Sequence, residues 1–255
     1  MLTAARHHFD ARSRALLLSI EGGLSRMMLA WGVLVTAACG LRIATSPVAA
    51  SPAAATWICY ALVAAAPIGS MLAALHWFRD GAGIGAGALA LDRRRYRALP
   101  LAQAQAHPLY GASGLMVSLL VGLLVTIALR TFEYFAALPA LAANVPAWLA
   151  VLQFVLTLDV VLFTGLYAVA FVAALRNAPI FPPMLAMIWA ADLAMQLGVA
   201  QAVSAQADVP VAVGTALHRL LDGHVVKVLA SVGLWMPYLL LSTRANVTYR
   251  HRLPS

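Results

Sequence analysis

The chain is poor in charge. Only 10% of its 255 residues are Asp, Glu, Lys or Arg, against about 25% in soluble domains. One lysine, Lys227, stands among the 17 basic residues, and acidic residues number nine. With 63% of the residues hydrophobic, so few charges cannot cover a water-facing surface. A soluble globule is excluded, and lipid is the solvent for most of the chain.

Cysteine is scarce too. Cys39 and Cys59 each fall inside an apolar run and form no CxxC or metal-ligand spacing, which argues against a disulfide scaffold, a zinc site and thiol exchange through cysteine pairs. The net charge of +8 does not point to nucleic acid. The basic residues lie in short connectors beside apolar runs, not along a polar stripe, and anionic lipid headgroups account for them.

What remains is apolar sequence in long blocks. A membrane-crossing helix needs about 20 apolar residues, and six windows satisfy this, at roughly 26–45, 56–78, 112–135, 147–175, 182–203 and 223–243. The fold expected is all-α, a polytopic bundle of six transmembrane helices. Residues 1–25 contain Arg6, Asp10, Arg12, Arg14 and Glu21. That segment is too long and too charged for a signal-peptide n-region, so the first helix is expected to be retained. The organisation expected is a cytoplasmic segment 1–25, a helical hairpin 26–78, a basic linker 79–107 and a four-helix unit 108–250.

Arginine and lysine divide unequally between the two sides. Arg6, Arg12, Arg14, Arg26, Arg79, Arg93, Arg94, Arg95, Arg97, Arg176, Arg244, Arg250 and Arg252 fall on one, with Arg42, Arg130, Arg219 and Lys227 on the other. By the positive-inside rule both termini are cytoplasmic. In the linker, glycine occupies every second position from Gly81 to Gly87, ahead of Arg93, Arg94, Arg95 and Arg97. No strand precedes this run, and neither GxGxxG nor GxxxxGK[ST] occurs in it. A flexible tether holding basic side chains against lipid headgroups therefore fits better than a phosphate-binding loop.

The last apolar segment ends in Trp235, Pro237, Tyr238, Ser242, Arg244, Thr248 and Tyr249. This Trp-x-Pro-Tyr, Ser-x-Arg ending resembles that of the YdgK-like family, small four-helix bacterial inner-membrane proteins without an established activity. The resemblance spans about residues 108–250 and implies a multi-pass inner-membrane fold, here with two helices added in front. Ala245 and Asn246 depart from the β-branched and basic residues usual in that family. In physical terms the ending is a helix exit. Pro237 disturbs the hydrogen-bond ladder, Trp235 and Tyr238 anchor at headgroups, and Arg244 neutralises terminal carbonyls or a lipid phosphate. The alternative is a docking surface for a membrane-protein partner.

Ionisable residues inside the apolar windows each carry an insertion cost of at least about 2.5–3.5 kcal/mol, so each needs a partner or a hydrated cavity. Asp159 and Asp192 fall near mid-membrane, and Trp189, Asp192 and Gln196 share one helix face. His224, Lys227 and Ser231 share another face, nearer the outer end of the sixth window. Arg130 and Glu133 stand one turn apart, as a structural pair, and Lys227 calls for an acidic partner, Asp192 or Asp159, with Asp222 as competitor.

No catalytic constellation is expected. His76 and His224 lie at opposite ends for a haem pair, no spacing places His218 or His224 beside Ser204 or Ser231, and Met184, Met187 and Met195 are bundle fillers. No metal or cofactor is implied. The residues support a non-catalytic structural or accessory membrane subunit. The alternative is a small transporter or channel-like carrier working through Asp159 and Asp192.

Overall fold

The computed structural model describes residues 2–46, 52–79 and 96–254. In chain order the elements are α1 (Leu2–Thr45), α2 (Ala54–Trp77), β1 (Tyr96–Ala98), α3 (Leu101–Gln105), α4 (Leu115–Ala137), α5 (Ala147–Leu175), α6 (Phe181–Ser204), α7 (Val211–Leu241), α8 (Thr243–Arg250) and β2 (Arg252–Pro254). Six of the helices are long and apolar enough to cross a membrane: Ala11–Thr45 within α1, then α2, α4, α5, α6 and α7. Arg93, Arg94, Arg95 and the glycine run lie outside the described residues, whereas Arg97 sits in β1.

Two segments begin earlier than the sequence suggests. The helix expected from residue 26 is continuous with the residues before it, and its apolar span of 35 residues rises about 52 Å, beyond a hydrocarbon core of about 30 Å. Arg12, Arg14 and Glu21 do not stop it because they lie on its exposed side, while Ser13, Ile20 and Leu24 turn inward. The helix expected from residue 223 starts at Val211, directly after Pro210. His218, Arg219 and Asp222 are exposed on that added length, so charge density there reports a helix face and not a loop.

At the centre of the bundle is α5, the most extensively buried of the long helices, with α2, α4 and α6 packed on it and α7 packed on α6. Phe163, Phe171, Phe181 and Leu185 are fully enclosed in its main apolar cluster. Against α2 the approach is close: a Cβ added at Gly165 would stand 2.8 Å from Ser70 Oγ. Small residues at such crossings let backbones approach within dispersion range, which drives helix association where water cannot.

Connections gather at two ends. At one, the Arg42 Nε donates to the Leu138 carbonyl (2.8 Å), the Ala53 N–H donates to the Leu141 carbonyl (2.8 Å), and the Ala140 N–H donates to Ser46 Oγ (2.8 Å). Thr56, with no exposed surface, accepts from Gln153 Nε2 at 3.2 Å and from the Leu141 N–H at 3.3 Å. These bonds satisfy the backbone of the connector after α4, as burial requires. At the other end β1 and β2 pair antiparallel, with Arg97 opposite Leu253, and the Leu99 N–H donates to the His251 carbonyl at 2.7 Å. This pairing joins the connector after α2 to the C-terminal segment on a single face. Neither strand was apparent from the sequence, because three-residue strands carry no usable periodicity.

Candidate functional site

The site is built where α4, α5, α6 and α7 converge. On α4, Ile127, Arg130, Thr131 and Tyr134 form one buried stripe at helical spacing. On α6, Trp189, Asp192 and Gln196 are likewise buried, and on α5 Asp159 and Tyr167 flank Phe163. The midpoint of α7 falls at residue 226, between His224 and Lys227. Those two residues are therefore central in their helix. Their shared partner, Glu133, stands about one turn before the end of α4 at Ala137.

Arg130 is the hub. Its Nη2 donates to both oxygens of Asp159 (2.8 Å each) and its Nη1 donates to Asp192 Oδ2 (2.5 Å). Tyr167 donates its hydroxyl proton to the same Asp192 oxygen at 2.8 Å, and Gln196 Nε2 bridges Asp159 Oδ1 (3.1 Å) and Asp192 Oδ1 (3.2 Å). The guanidinium also lies 4.7 Å from the Phe163 ring centre. Burial is nearly complete, with Asp192 at 0% exposure and Asp159 at 5%. Such a cluster is tolerable in a low-dielectric interior only because nearly every polar atom is paired. The exception is Arg130 Nε, which is buried without a partner.

A second ion cluster joins α4 to α7. Glu133 accepts from Lys227 Nζ through Oε1 and contacts His224 Nε2 through Oε2 at 2.5 Å. Both pairings inferred from sequence are thus corrected. Arg130 does not pair with Glu133 although they stand one turn apart, and Lys227 meets neither Asp159, Asp192 nor Asp222. The reason is rotational: Arg130 belongs to the α5–α6 side of α4, and Glu133, three residues on, faces α7. Tyr167, which spacing alone did not single out, lies two helical turns beyond Asp159 and completes the first cluster from the same helix.

Between the clusters lies a cavity of about 340 Å³, with Arg130, Glu133, Asp192, His224 and Lys227 on its polar side and Tyr167, Trp189 and Trp235 among its apolar and aromatic walls. Asp159 is not part of that lining and borders a separate void of about 20 Å³. With carboxylates ionised and His224 neutral, the ion-paired groups comprise two cations, Arg130 and Lys227, and three anions, Asp159, Asp192 and Glu133. The site therefore carries one unbalanced negative charge. Among the described residues no group of three His, Cys, Asp or Glu could hold a metal ion, and both cysteines are free.

Apart from Trp235, which lines the cavity, the C-terminal motif residues are elsewhere. α7 runs through Pro237 as far as Leu241 and breaks at Ser242, whose backbone is extended. Trp235 and Tyr238 meet edge to face, 6.0 Å between ring centres, and both, half-buried, pack against the main core cluster. Arg244 donates to Ser113 Oγ, while the terminal carbonyls of Leu239 and Leu240 are taken by Arg250 Nη1 at 3.0 and 3.3 Å. Asn246, fully buried, donates to the Leu240 and Ser242 carbonyls and accepts from Arg250 and Arg252. Tyr249 donates to the Ala174 carbonyl at 3.0 Å and stacks at 5.2 Å from Phe181. Burial pushes the Tyr249 phenol well above its ordinary value and lowers the His251 imidazole below its own. This end of the molecule is a packed cap that fixes α7 to α5 and α6. No family model matches the chain, and no curated protein or solved structure is similar to it.

Proposed function

We propose that this protein is a small non-catalytic carrier of the bacterial inner membrane, binding a polar solute in the cavity between α4 and α7. One observation carries the reading: two ion clusters, near mid-helix on α5, α6 and α7, border the same cavity of about 340 Å³. Ionisable groups at membrane depth that face a cavity mark solute or ion paths, and a volume of this size lies within the roughly 300–1,000 Å³ typical of ligand sites.

In this reading both termini are cytoplasmic. The unequal arginine distribution supports that orientation, and so does the joining of the connector after α2 and the C-terminal segment through β1 and β2 on one face. Arg97, exposed in β1, would then meet anionic headgroups. The YdgK-like resemblance of the C-terminal ending agrees with the same membrane and orientation.

A second reading, a structural or accessory subunit, is favoured by the pairing of all three carboxylates, which would fix helix register without any solute. Water separates the two. In a background lacking Cys39 and Cys59, Ser231→Cys on the cavity wall should react with a membrane-impermeant maleimide in intact proteoliposomes. Complete protection of that cysteine, with labelling restored only after denaturation, would leave a dry register lock and end the carrier reading.

A further inference from the structure

We infer that the cavity takes a small organic monocation, an amine on a compact apolar body, and that one proton competes with it for the same unbalanced charge. The inference rests on the carrier reading and specifies its solute. Charge comes first. From α4, Arg130 and Glu133 face the site; from α5, Asp159 and Tyr167; from α6, Asp192; and from α7, His224 and Lys227. Their sum is one negative charge while His224 is neutral and Tyr167 carries its proton.

In a low-dielectric setting a net charge is expensive, and one positive charge removes it. An anion would double the imbalance, a dication would reverse it, and a neutral solute would leave it unchanged. The acceptors for an ammonium group are present. A carboxylate offers about four lone-pair sites, and Glu133 uses one on Lys227 and one on His224. Trp189, Trp235 and Tyr167 line the same space, and aromatic faces attract cations most strongly when water is excluded.

The competing proton has an address beside the same carboxylate, on the imidazole of His224. Histidine is the side chain that ordinarily changes charge between about pH 5 and 8, and His224 Nε2 stands 2.5 Å from Glu133 Oε2. Protonated, His224 supplies the missing positive charge itself, and the seven facing groups sum to zero. Entry of an ammonium ion then returns that proton to water. One cation enters and one proton leaves, so the charge of the site is conserved across the exchange.

The test uses the full-length protein in lipid nanodiscs and isothermal titration calorimetry, with benzylammonium as the cationic probe and benzyl alcohol as its neutral counterpart. Benzylammonium should bind at pH 8, benzyl alcohol at least about tenfold more weakly. Affinity for the cation should fall as the pH is lowered from 8 to 5, the direction of one linked proton. Buffers of different ionisation heat should report net proton release on binding at the acid end of that range and none at pH 8.

His224→Gln should keep binding and flatten the pH dependence. Lys227→Gln, which makes the site more negative, should tighten benzylammonium binding, so the inference does not depend on one variant folding. Equal affinity for the two probes, a flat pH profile in the native protein, or an unchanged slope in His224→Gln would overturn it. If neither probe binds while Ser231→Cys is labelled, the hydrated cavity stands and the monocation inference falls. If neither probe binds and that cysteine is protected, both readings fall.

Discussion

The crossings of α2 with α5 and of α4 with α7 solve the same problem in opposite ways. At the first, a glycine lets two helices approach until an added Cβ would meet Ser70, and no ion pair is present among the described residues there. At the second, the helices stand apart around a cavity and are bridged by Glu133 with His224 and Lys227. In lipid, apolar surface gains little from meeting other apolar surface, so close packing of small residues is the inexpensive way to join helices. A charged bridge over an open volume is the costly way.

The largest expected effect lies at the hub beside the open crossing. Arg130→Met strands two buried carboxylates, and breaking a buried pair by removing one partner costs about 3–5 kcal/mol. Reversible unfolding in mixed micelles measures this, and adding Asp159→Asn should return part of the loss. A loss no greater than that of an ordinary surface substitution would show that the carboxylates do not depend on Arg130.

The close crossing should break by steric means instead. Gly165→Ala places a methyl 2.8 Å from Ser70 Oγ, and overpacking of this kind costs about 1–3 kcal/mol. Ser70→Ala should relieve most of it, since the next contact, Ser70 Cβ, is at 3.7 Å. The pair should be insensitive to pH and salt, in contrast to every substitution in the α4–α7 bridge.

The bridge itself is sharpened by a double-mutant cycle. Lys227→Met and Glu133→Gln should couple by about 0.6 kcal/mol, the average for intramembrane polar pairs, because the amine is half exposed and His224 holds the second Glu133 oxygen. Lys227→Met with Asp192→Asn should be additive. Coupling to Asp192 in place of Glu133 would mean that α4 and α7 are rotated relative to the contacts described.

The smallest effect belongs to the cap. Burial lowers the His251 imidazole relative to the unfolded chain, so the unfolded state takes up the proton more readily. Stability contributed by neutral His251 is present above the ordinary histidine range and declines as pH falls through it, between roughly pH 7 and 5. Hydrogen exchange at Leu99, whose amide donates to the His251 carbonyl, should quicken slightly over that interval. His251→Asn should abolish the change, since asparagine tolerates the left-handed backbone there, φ 47°.

Much of this was legible beforehand. The shared face of Trp189, Asp192 and Gln196 followed from helical spacing, as did that of His224, Lys227 and Ser231. Helix starts were less legible, because Arg12, Glu21 and Asp222 look like loop residues until the exposed face that carries them is known. The cap was legible only in part: Arg244 was expected to neutralise terminal carbonyls or a lipid phosphate, and the structure puts Arg250 on the carbonyls of Leu239 and Leu240.

The sequence alone determined that six segments are long and apolar enough to cross a membrane, and which ionisable residues lie within them. Hydropathy and helical period are local properties, readable from neighbours along the chain. Only the tertiary structure decided that Arg130 takes both aspartates and that Glu133 takes Lys227. Helical spacing fixes which side chains share a face but not which neighbouring helix that face meets. That choice rests on the lateral order of α4, α5, α6 and α7, set by packing against α5 and by the cap that holds the end of α7.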